Sequence, residues 1–389
     1  MLNDESSDSP PGPANAPARP LRVAIAGAGF MGRTHSIAAR AAGAEIVAVV
    51  ASAPDRVDAA RAAVGAARGY SSLDEALRAE EPDVVHICLP NRDHVEASLA
   101  VLEAGHHVVC EKPLATEVRE ADLLARTAAD LGLVAAVPFV YRFHPMVREM
   151  RRRIAAGEAG RIGMLHGSYL QDWLARPVSN WRVDPSAGGV SRTFADIGLH
   201  WFDLLEFTTG DVVTAVSAQF STVFDRRTGL DGAEFRVETE DSVAVQFRTA
   251  RGVIGSFVGA QVAAGRKNRL ALEVSGTDHS FAFDQEDAER LWVGDADGHR
   301  VLVRDPDRLG VGAAEYAIVP SGHAQGYQDA FNAFARDAYR AVAGAAPDGL
   351  PGFAAGARSA HLVDAVVRSQ AAGGTWTDVP LARIPEAVA

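Results

Sequence analysis

The segment Thr193-Phe-Ala-Asp-Ile-Gly-Leu-His-Trp-Phe-Asp203 sets three ionisable side chains at helical spacing. Asp196 and His200 are four residues apart and Asp203 is three further, so a helix would carry all three on one face beside a strongly apolar one. An imidazole held by a nearby carboxylate is a suitable base for the proton of a secondary alcohol. A capped core histidine or part of a metal site could show the same spacing. Neither a cysteine ligand nor an HExxH pattern accompanies it, and no metal is expected. The second candidate is Lys112, in Glu111-Lys112-Pro113, directly beyond an apolar run. At the carboxyl edge of an open sheet a lysine could stabilise a developing alkoxide. By itself the same residue also reads as a surface lysine before a turn proline.

A partner for such chemistry is suggested near the start. Gly27-Ala28-Gly29-Phe30-Met31-Gly32 follows an apolar strand pattern and opens a helical one. Gly27 would allow the tight turn, Gly29 the approach of a pyrophosphate, and Gly32 close packing of helix on strand. The helix N-terminus would then offer N–H groups to the phosphates, flanked by Phe30 and Met31. The second strand ends at Ala51-Ser52, where an NAD-selective site usually carries an acid. Ser52 and Arg56 could instead hold a 2′-phosphate, which favours NADP(H) over NAD(H). The competing reading leaves Arg56 solvated, with Asp55 or a backbone group on the ribose of NAD.

The elements that would position these groups fall into two rhythms. LRVAIAG, EIVAVVA, DVVHICL, HHVVC and VAAVPFV read as strands apolar throughout, alternating with helices near 31–43, 55–65, 73–80, 94–105 and 117–131. That alternation predicts an α/β unit with a doubly wound parallel sheet, over 21–143. A helix near 146–156 follows. Then MLHGSYLQ, VVTAVSAQF, DSVAVQFR, GVIGSFVGA, LALEVSG and HSFAF alternate with period two, as in a mainly antiparallel sheet with one covered face. Helices near 195–208, 324–343 and 354–371 are expected to cover that face, the last also packing back toward the first unit. This α+β domain is assigned to 144–389.

Composition limits the partners. The net charge of −12, from 38 basic and 50 acidic residues, would repel a phosphate backbone, so nucleic acid is not expected. No apolar stretch approaches the ~18 residues a membrane span needs. Residues 1–20 are acidic and proline-rich without a signal-peptide core, and read as a disordered tail. Cys88 and Cys110 sit inside apolar runs and read as buried thiols, and the cytoplasm is the expected compartment.

GAGFMGRTH, LPNRDHVEASLAVLEAGHHVVCEKPLA, YRFHP and DIGLHWFD, in that order, resemble the glucose–fructose oxidoreductase / inositol dehydrogenase / MocA family over the whole chain after the tail. The resemblance implies a Rossmann domain followed by an α+β domain with a large, open, mainly antiparallel mixed sheet, and a homodimer or homotetramer built on that sheet. It implies that Lys112, Asp196 and His200 are catalytic, that Glu111 touches the nicotinamide-side ribose, and that Pro90, Asn91 and His94 line the cofactor near the nicotinamide. It also implies a cis peptide before Pro113. The activity expected is transfer of a hydride between NADP or NAD and a secondary hydroxyl or ketone of a sugar, glycoside or cyclitol. An NAD-dependent glycoside hydrolase of the same fold and a non-catalytic sugar sensor are the alternatives. One departure concerns Val140, where many members have Asn, which puts one substrate contact in doubt. Tyr141 and Arg142 remain as substrate candidates. The segment from Gln171-Asp172-Trp173 to Asn180-Trp181-Arg182 reads equally as a substrate wall, using Trp173, Trp181 and Arg182, or as an interdomain packing loop. His323 and Tyr327 are further candidates.

Overall fold

A computed structural model describes residues 19–177, 180–229 and 232–381. Most of the first twenty residues, read above as a tail, lie outside them.

The first sheet is built of β1 (Arg22–Ala26), β2 (Glu45–Val50), β3 (Arg68–Tyr70), β4 (Val84–Ile87), β5 (His107–Cys110) and β6 (Ala135–Ala136). Its strand order is β3-β2-β1-β4-β5-β6, all parallel, so the order reverses between β1 and β4. Ligands of open α/β sheets bind beyond the carboxyl ends of the strands at such a point. Helices α1 (Phe30–Ala41), α2 (Val57–Val64), α3 (Leu73–Glu80), α4 (His94–Glu103) and α5 (Val118–Leu131) connect the strands. Because helices cover both faces, β1 and β4 are buried along nearly their whole length, as their unbroken apolar runs require. Each fully buried Val or Ile there contributes roughly 1.5–3 kcal/mol. The expected strand over 134–140 shrinks to Ala135–Ala136, because the chain turns at Pro138 into a 3-10 turn, Val140–Phe143.

After α6 (Pro145–Ala155) come β7 (Ile162–Leu170), the one-turn helix α7 (Pro185–Gly188), and α8 (Leu199–Thr209). Then follow β8 (Val213–Ser221), a small hairpin of β9 (Arg226–Thr228) and β10 (Glu234–Arg236), β11 (Ser242–Thr249), β12 (Ile254–Ala260), β13 (Arg269–Gly276) and β14 (Ser280–Asp284). The sheet closes with β15 (Arg290–Asp295), β16 (Gly298–Val303) and, after helices α9 (Val311–Ala314), α10 (Tyr327–Val342) and α11 (Phe353–Ala371), β17 (Thr377–Asp378). Nine of these strands form one sheet in the order β16-β15-β14-β13-β7-β12-β11-β8-β17. Every pairing in it is antiparallel except β7 with β12. One face is covered by α8, whose Trp201 and Phe202 pack on Phe247 and Phe257.

Two further features differ from the sequence reading. The strands β3, β9, β10, β15, β16 and β17 were not anticipated; β16 is exposed along most of its length, so it lacks the apolar alternation that marks its neighbours. Helix α10 does not cover the second sheet. Its Phe331 and Phe334 pack into a cluster with Val23, Ile25 and Ala38 of β1 and α1, and Gln328 Nε2 donates to the Thr34 carbonyl 3.3 Å away. Helix α11 does reach both parts: Gly356 lies against Leu114 and Val137, and Ser369 Oγ accepts from Ala218 N of β8 at 2.9 Å.

Candidate active site

A cavity of about 1220 Å³ opens between the carboxyl edge of the first sheet and one end of the second. At its near end lies the glycine loop. Gly27 has φ +97°, and a Cβ there would stand 2.5 Å from the Cys88 carbonyl oxygen. A Cβ on Gly32 would stand 2.0 Å from the Gly27 carbonyl oxygen, so neither position admits a side chain without rearrangement. A Cβ on Gly29 meets nothing within 4 Å, which leaves open space over the N-terminus of α1. That terminus has no side-chain cap and no acidic residue in its first turn, the polarity an anion requires. These features fit a dinucleotide. Phe30 and Met31 line this end, Phe30 as a two-thirds exposed rim residue, and Ser52 and Arg56 line it beyond the end of β2.

Pro90, Asn91, His94 and Glu111 line the middle. Asn91 Nδ2 donates to the Gly188 carbonyl at 3.0 Å. His94 is buried, its ring nitrogens 2.8 Å from the Pro113 carbonyl and 2.9 Å from that of Leu89, so it ties the end of β4 to the turn that carries Lys112. The Lys112–Pro113 peptide is cis.

At the far end Lys112, Asp196 and His200 come together. Residues Phe194–Gly198 form a π-turn that opens into α8. Lys112 Nζ donates to Asp196 Oδ1 at 2.6 Å and to the Asp196 carbonyl at 2.9 Å, while Gln261 Nε2 donates to Asp196 Oδ2 at 2.7 Å. Burial would raise the Asp196 pKa, but the Lys112 ammonium, with Arg182 behind it, drives it well below the ordinary carboxylate range. Burial and the Lys112 charge push the His200 imidazole down to about 3, against the opposing pull of Glu111 and Asp196. His200 is therefore neutral near pH 7, with its edge against Tyr141 and its buried Nδ1 without a partner among the described residues.

Tyr141, Tyr327, Trp181 and Arg182 also line this end, Arg182 lying over the Trp181 ring at 4.3 Å. Three expected substrate residues do not. Arg142 turns away, because its guanidinium pairs with both oxygens of Asp203 and lies over Phe207. That pair also removes Asp203 from the face shared by Asp196 and His200. Trp173 donates to Gln171 Oε1 at 2.9 Å outside the cavity, and it is Gln171 that reaches the lining. His323 is exposed, and its carbonyl binds the buried Arg304.

The reading missed Tyr169, Gln261, Lys267 and Asn268, which line or hold this end. The Tyr141 and Tyr169 hydroxyls lie 2.5 Å apart; Tyr169 donates to Asn268 Oδ1 at 2.8 Å, and Asn268 Nδ2 donates to Tyr141 at 3.2 Å. Gln171 follows β7, Gln261 follows β12 and Asn268 precedes β13, three neighbouring strands whose ends meet here. Polar residues at strand ends were a visible signal, but only the strand order makes them converge. Val140 is buried in the core, and the amide beside Tyr141 comes from Asn268.

A glycine-turn dinucleotide fold with a Lys–Asp–His cluster at the far end of one cavity defines a nicotinamide-dependent oxidoreductase of two-domain type. Comparison with known proteins agrees. Residues 21–139 match an oxidoreductase family described by its NAD-binding Rossmann fold, and residues 147–282 match the GFO/IDH/MocA C-terminal domain. Levoglucosan dehydrogenase of Pseudarthrobacter phenanthrenivorans is 33% identical over 92% of this chain and 98% of its own. The structure of levoglucosan dehydrogenase in complex with NADH and levoglucosan superposes with a TM-score of 0.87 at 31% identity, covering 93% of this chain and 100% of the other. An inositol dehydrogenase homologue from Azotobacter vinelandii, complexed with NADH and myo-inositol, gives 0.83 at 27%, covering 93% and 98%. The chain belongs to the Gfo/Idh/MocA oxidoreductase family and is a dehydrogenase or reductase acting on CH–OH groups.

Proposed function

We propose that this enzyme moves a hydride between a nicotinamide cofactor and a secondary hydroxyl or ketone of a sugar, glycoside or cyclitol. The observation that carries the reading is the Lys112–Asp196–His200 cluster at the far end of a cavity that begins at the glycine loop. The relatives named for levoglucosan and inositol support a polyhydroxylated ring as substrate. Gly27, Gly29, Phe30, Met31 and Gly32 would hold the pyrophosphate, and Pro90, Asn91, His94 and Glu111 the nicotinamide half. When bound, the nicotinamide supplies or takes the hydride.

The chain's own groups handle the oxygen and the proton. An ammonium has three N–H bonds. Asp196 engages two of those on Lys112, which leaves the third for the substrate oxygen, where it opposes the charge that develops as the hydroxyl is oxidised. Neutral His200 takes the hydroxyl proton and, with its low proton affinity, passes it to water. Asp196 keeps Lys112 aimed. Tyr141, Tyr169, Asn268, Gln171 and Tyr327 offer donors and acceptors to the remaining hydroxyls, and Trp181 and Arg182 close the wall.

Ser52 and Arg56 support acceptance of NADP(H), since no carboxylate among the described residues lines that end of the cavity. Titration by nicotinamide fluorescence is expected to show NADP(H) binding at least as tightly as NAD(H), with Ser52→Asp shifting preference toward NAD(H). Reduction of both cofactors across a panel of sugars, glycosides and cyclitols then tests the activity. A strong wild-type preference for NAD(H) refutes the 2′-phosphate assignment; a panel without turnover refutes the substrate class.

The uncovered face of the nine-stranded sheet supports self-association. Met164, Ile254, Val258 and Val301 project from it, between 45% and 59% exposed. A broad uncovered sheet face that carries such exposed apolar residues becomes an interface. A homodimer or homotetramer is expected by light scattering, and a monomer at micromolar concentration refutes the proposal.

A further inference from the structure

Four buried side chains, three from the first domain and one from α10, join end to end. Glu111 Oε1 lies 2.9 Å from Nε2 of His35, on α1. His35 Nδ1 lies 2.8 Å from Nδ1 of His86, on β4, and His86 Nε2 lies 2.9 Å from the hydroxyl of Tyr339, on α10. His35 and His86 are each 1% exposed, and Glu111 and Tyr339 each 6%. One end of the chain, Glu111, lines the reaction cavity, and the catalytic reading gives His86 and Tyr339 no part.

Counting hydrogens gives the chain a direction. The Tyr339 hydroxyl has no acceptor but His86 Nε2 among the described residues, so it donates there, His86 donates from Nδ1 to His35, and His35 donates from Nε2 to Glu111 Oε1. Glu111 Oε2 accepts from Lys112 N at 3.1 Å, so both oxygens act as acceptors and the group is a carboxylate. Burial opposes that charge, but the bond to His35 holds its pKa below the usual value. His35 must therefore carry hydrogen on Nε2. If neutral, it accepts at Nδ1 from His86 Nδ1–H, and His86 accepts at Nε2 from the Tyr339 hydroxyl. Every donor is used, and every hydrogen points toward Glu111. A charged His35 would reverse the remaining links and leave the Tyr339 hydrogen with no acceptor among the described residues. Burial holds His86 well below its ordinary pKa, so its ring is neutral.

We propose that Tyr339, acting through His86 and His35, is a proton lock that keeps Glu111 an ionised, fixed carboxylate at the cavity wall. All three are positioning residues for Glu111. Protonating Glu111 through the chain would require Tyr339 to release its own proton, and burial makes that release very costly. The titratable groups facing Glu111 are His35 from α1, Cys88 beyond β4, Lys112, His200 from α8 and Tyr327 from α10. Only His35 among them bonds it through a side chain. The consequence for catalysis rests on the reading of Lys112 and His200 above: the Glu111 charge supports the proton affinity of His200, so a Glu111 that gained a proton would leave a weaker base.

Long-range nitrogen–proton NMR of ¹⁵N-histidine-labelled protein reads both rings without substrate or cofactor. In the wild type His86 should carry its proton on Nδ1 and His35 on Nε2, each on one ring nitrogen only. Tyr339→Phe removes one buried oxygen and frees His86 Nε2 to take a proton. The linked groups should then gain a proton at a pH roughly one unit higher or more, a tenfold or larger rise in proton affinity. His86→Gln should give the same rise at His35. The acid limb of kcat/KM should move up in parallel. An Nε2-protonated His86, a charged His35 in neutral wild-type protein, or rings that titrate unchanged in Tyr339→Phe would overturn the lock. An acid limb that stays in place while the rings change would overturn its coupling to His200. Since the NMR readout needs no turnover, an inactive substrate panel refutes the functional reading without touching this result.

Discussion

Lys112→Ala and His200→Ala should each lose about 10²–10⁴ in kcat on an accepted polyol while keeping near-normal affinity for reduced cofactor. The magnitude follows from what each removes. The Lys112 variant loses the only cation within hydrogen-bond distance of Asp196 among the described residues, and with it the N–H proposed for the substrate oxygen. The His200 variant loses the neutral ring nitrogen proposed to take the proton. Cofactor affinity is spared because the pyrophosphate grip is assigned to the glycine loop and the N-terminus of α1, at the other end of the cavity. Both side chains act on the same hydroxyl, so the double variant should lose much less than the product of the single losses. Steady-state kinetics and reduced-cofactor fluorescence titration measure the two halves separately. Normal turnover in both single variants would remove them from the mechanism.

How far the sequence could be read follows from what each feature depends on. The first sheet was legible because a doubly covered strand needs an unbroken apolar run, and Val23–Ala26 or Val84–Ile87 carries one. The three residues of β3, Arg68-Gly69-Tyr70, carry no such run and were missed. Asp196 and His200 could be singled out by type and helical spacing, and Lys112 by its place after an apolar run; each also had a bland reading, the family resemblance joined them, and the cavity brings them together. Arg142 was misplaced because a guanidinium near a site is equally suited to a hydroxyl or a carboxylate. Only the tertiary approach of α8 shows that Asp203 takes it, with two bonds. Tyr169, Gln261 and Asn268 were passed over for a related reason: each is an ordinary polar residue at or near a strand end. Their convergence depends on β13, β7 and β12 being neighbours, with one parallel pairing in an otherwise antiparallel sheet. Helix α10 was put on the wrong sheet because its apolar stripe would suit either one, and the stripe does not say that Ile25 and Ala38 lie opposite Phe331.

Asp241→Ala should destabilise the protein by about 3–5 kcal/mol, the usual cost of removing one partner from a buried ion pair. Asp241 is fully buried between two arginines whose side chains are also fully buried. Its Oδ1 accepts from Arg192 and, at 2.7 Å, from Arg227; its Oδ2 accepts from the backbone of Val223 at 2.8 Å and Phe224 at 2.9 Å. Removing the carboxylate leaves two interior guanidiniums without its charge and two backbone donors without an acceptor. The effect should reach the site, because Arg192 leads directly into the turn that carries Asp196. Next to Asp241, Glu240 accepts from Ser191 Oγ at 2.7 Å, Arg192 N at 3.1 Å and Phe194 N at 2.9 Å, clamping the start of that turn. Calorimetry should show a fall in Tm of roughly 4–6 °C, given about 2.1 cal/mol/K of unfolding entropy per residue. Protein that remains folded should lose kcat, because Asp196 no longer holds Lys112 in one place. Asp241→Asn keeps the shape and one acceptor oxygen but not the charge, so it should fall between wild type and Asp241→Ala on both measures. An Asp241→Ala variant within about 1 kcal/mol of wild type, well below the cost of stranding a buried charge, would mean that the two arginines find other partners and that the turn is held by Glu240 alone.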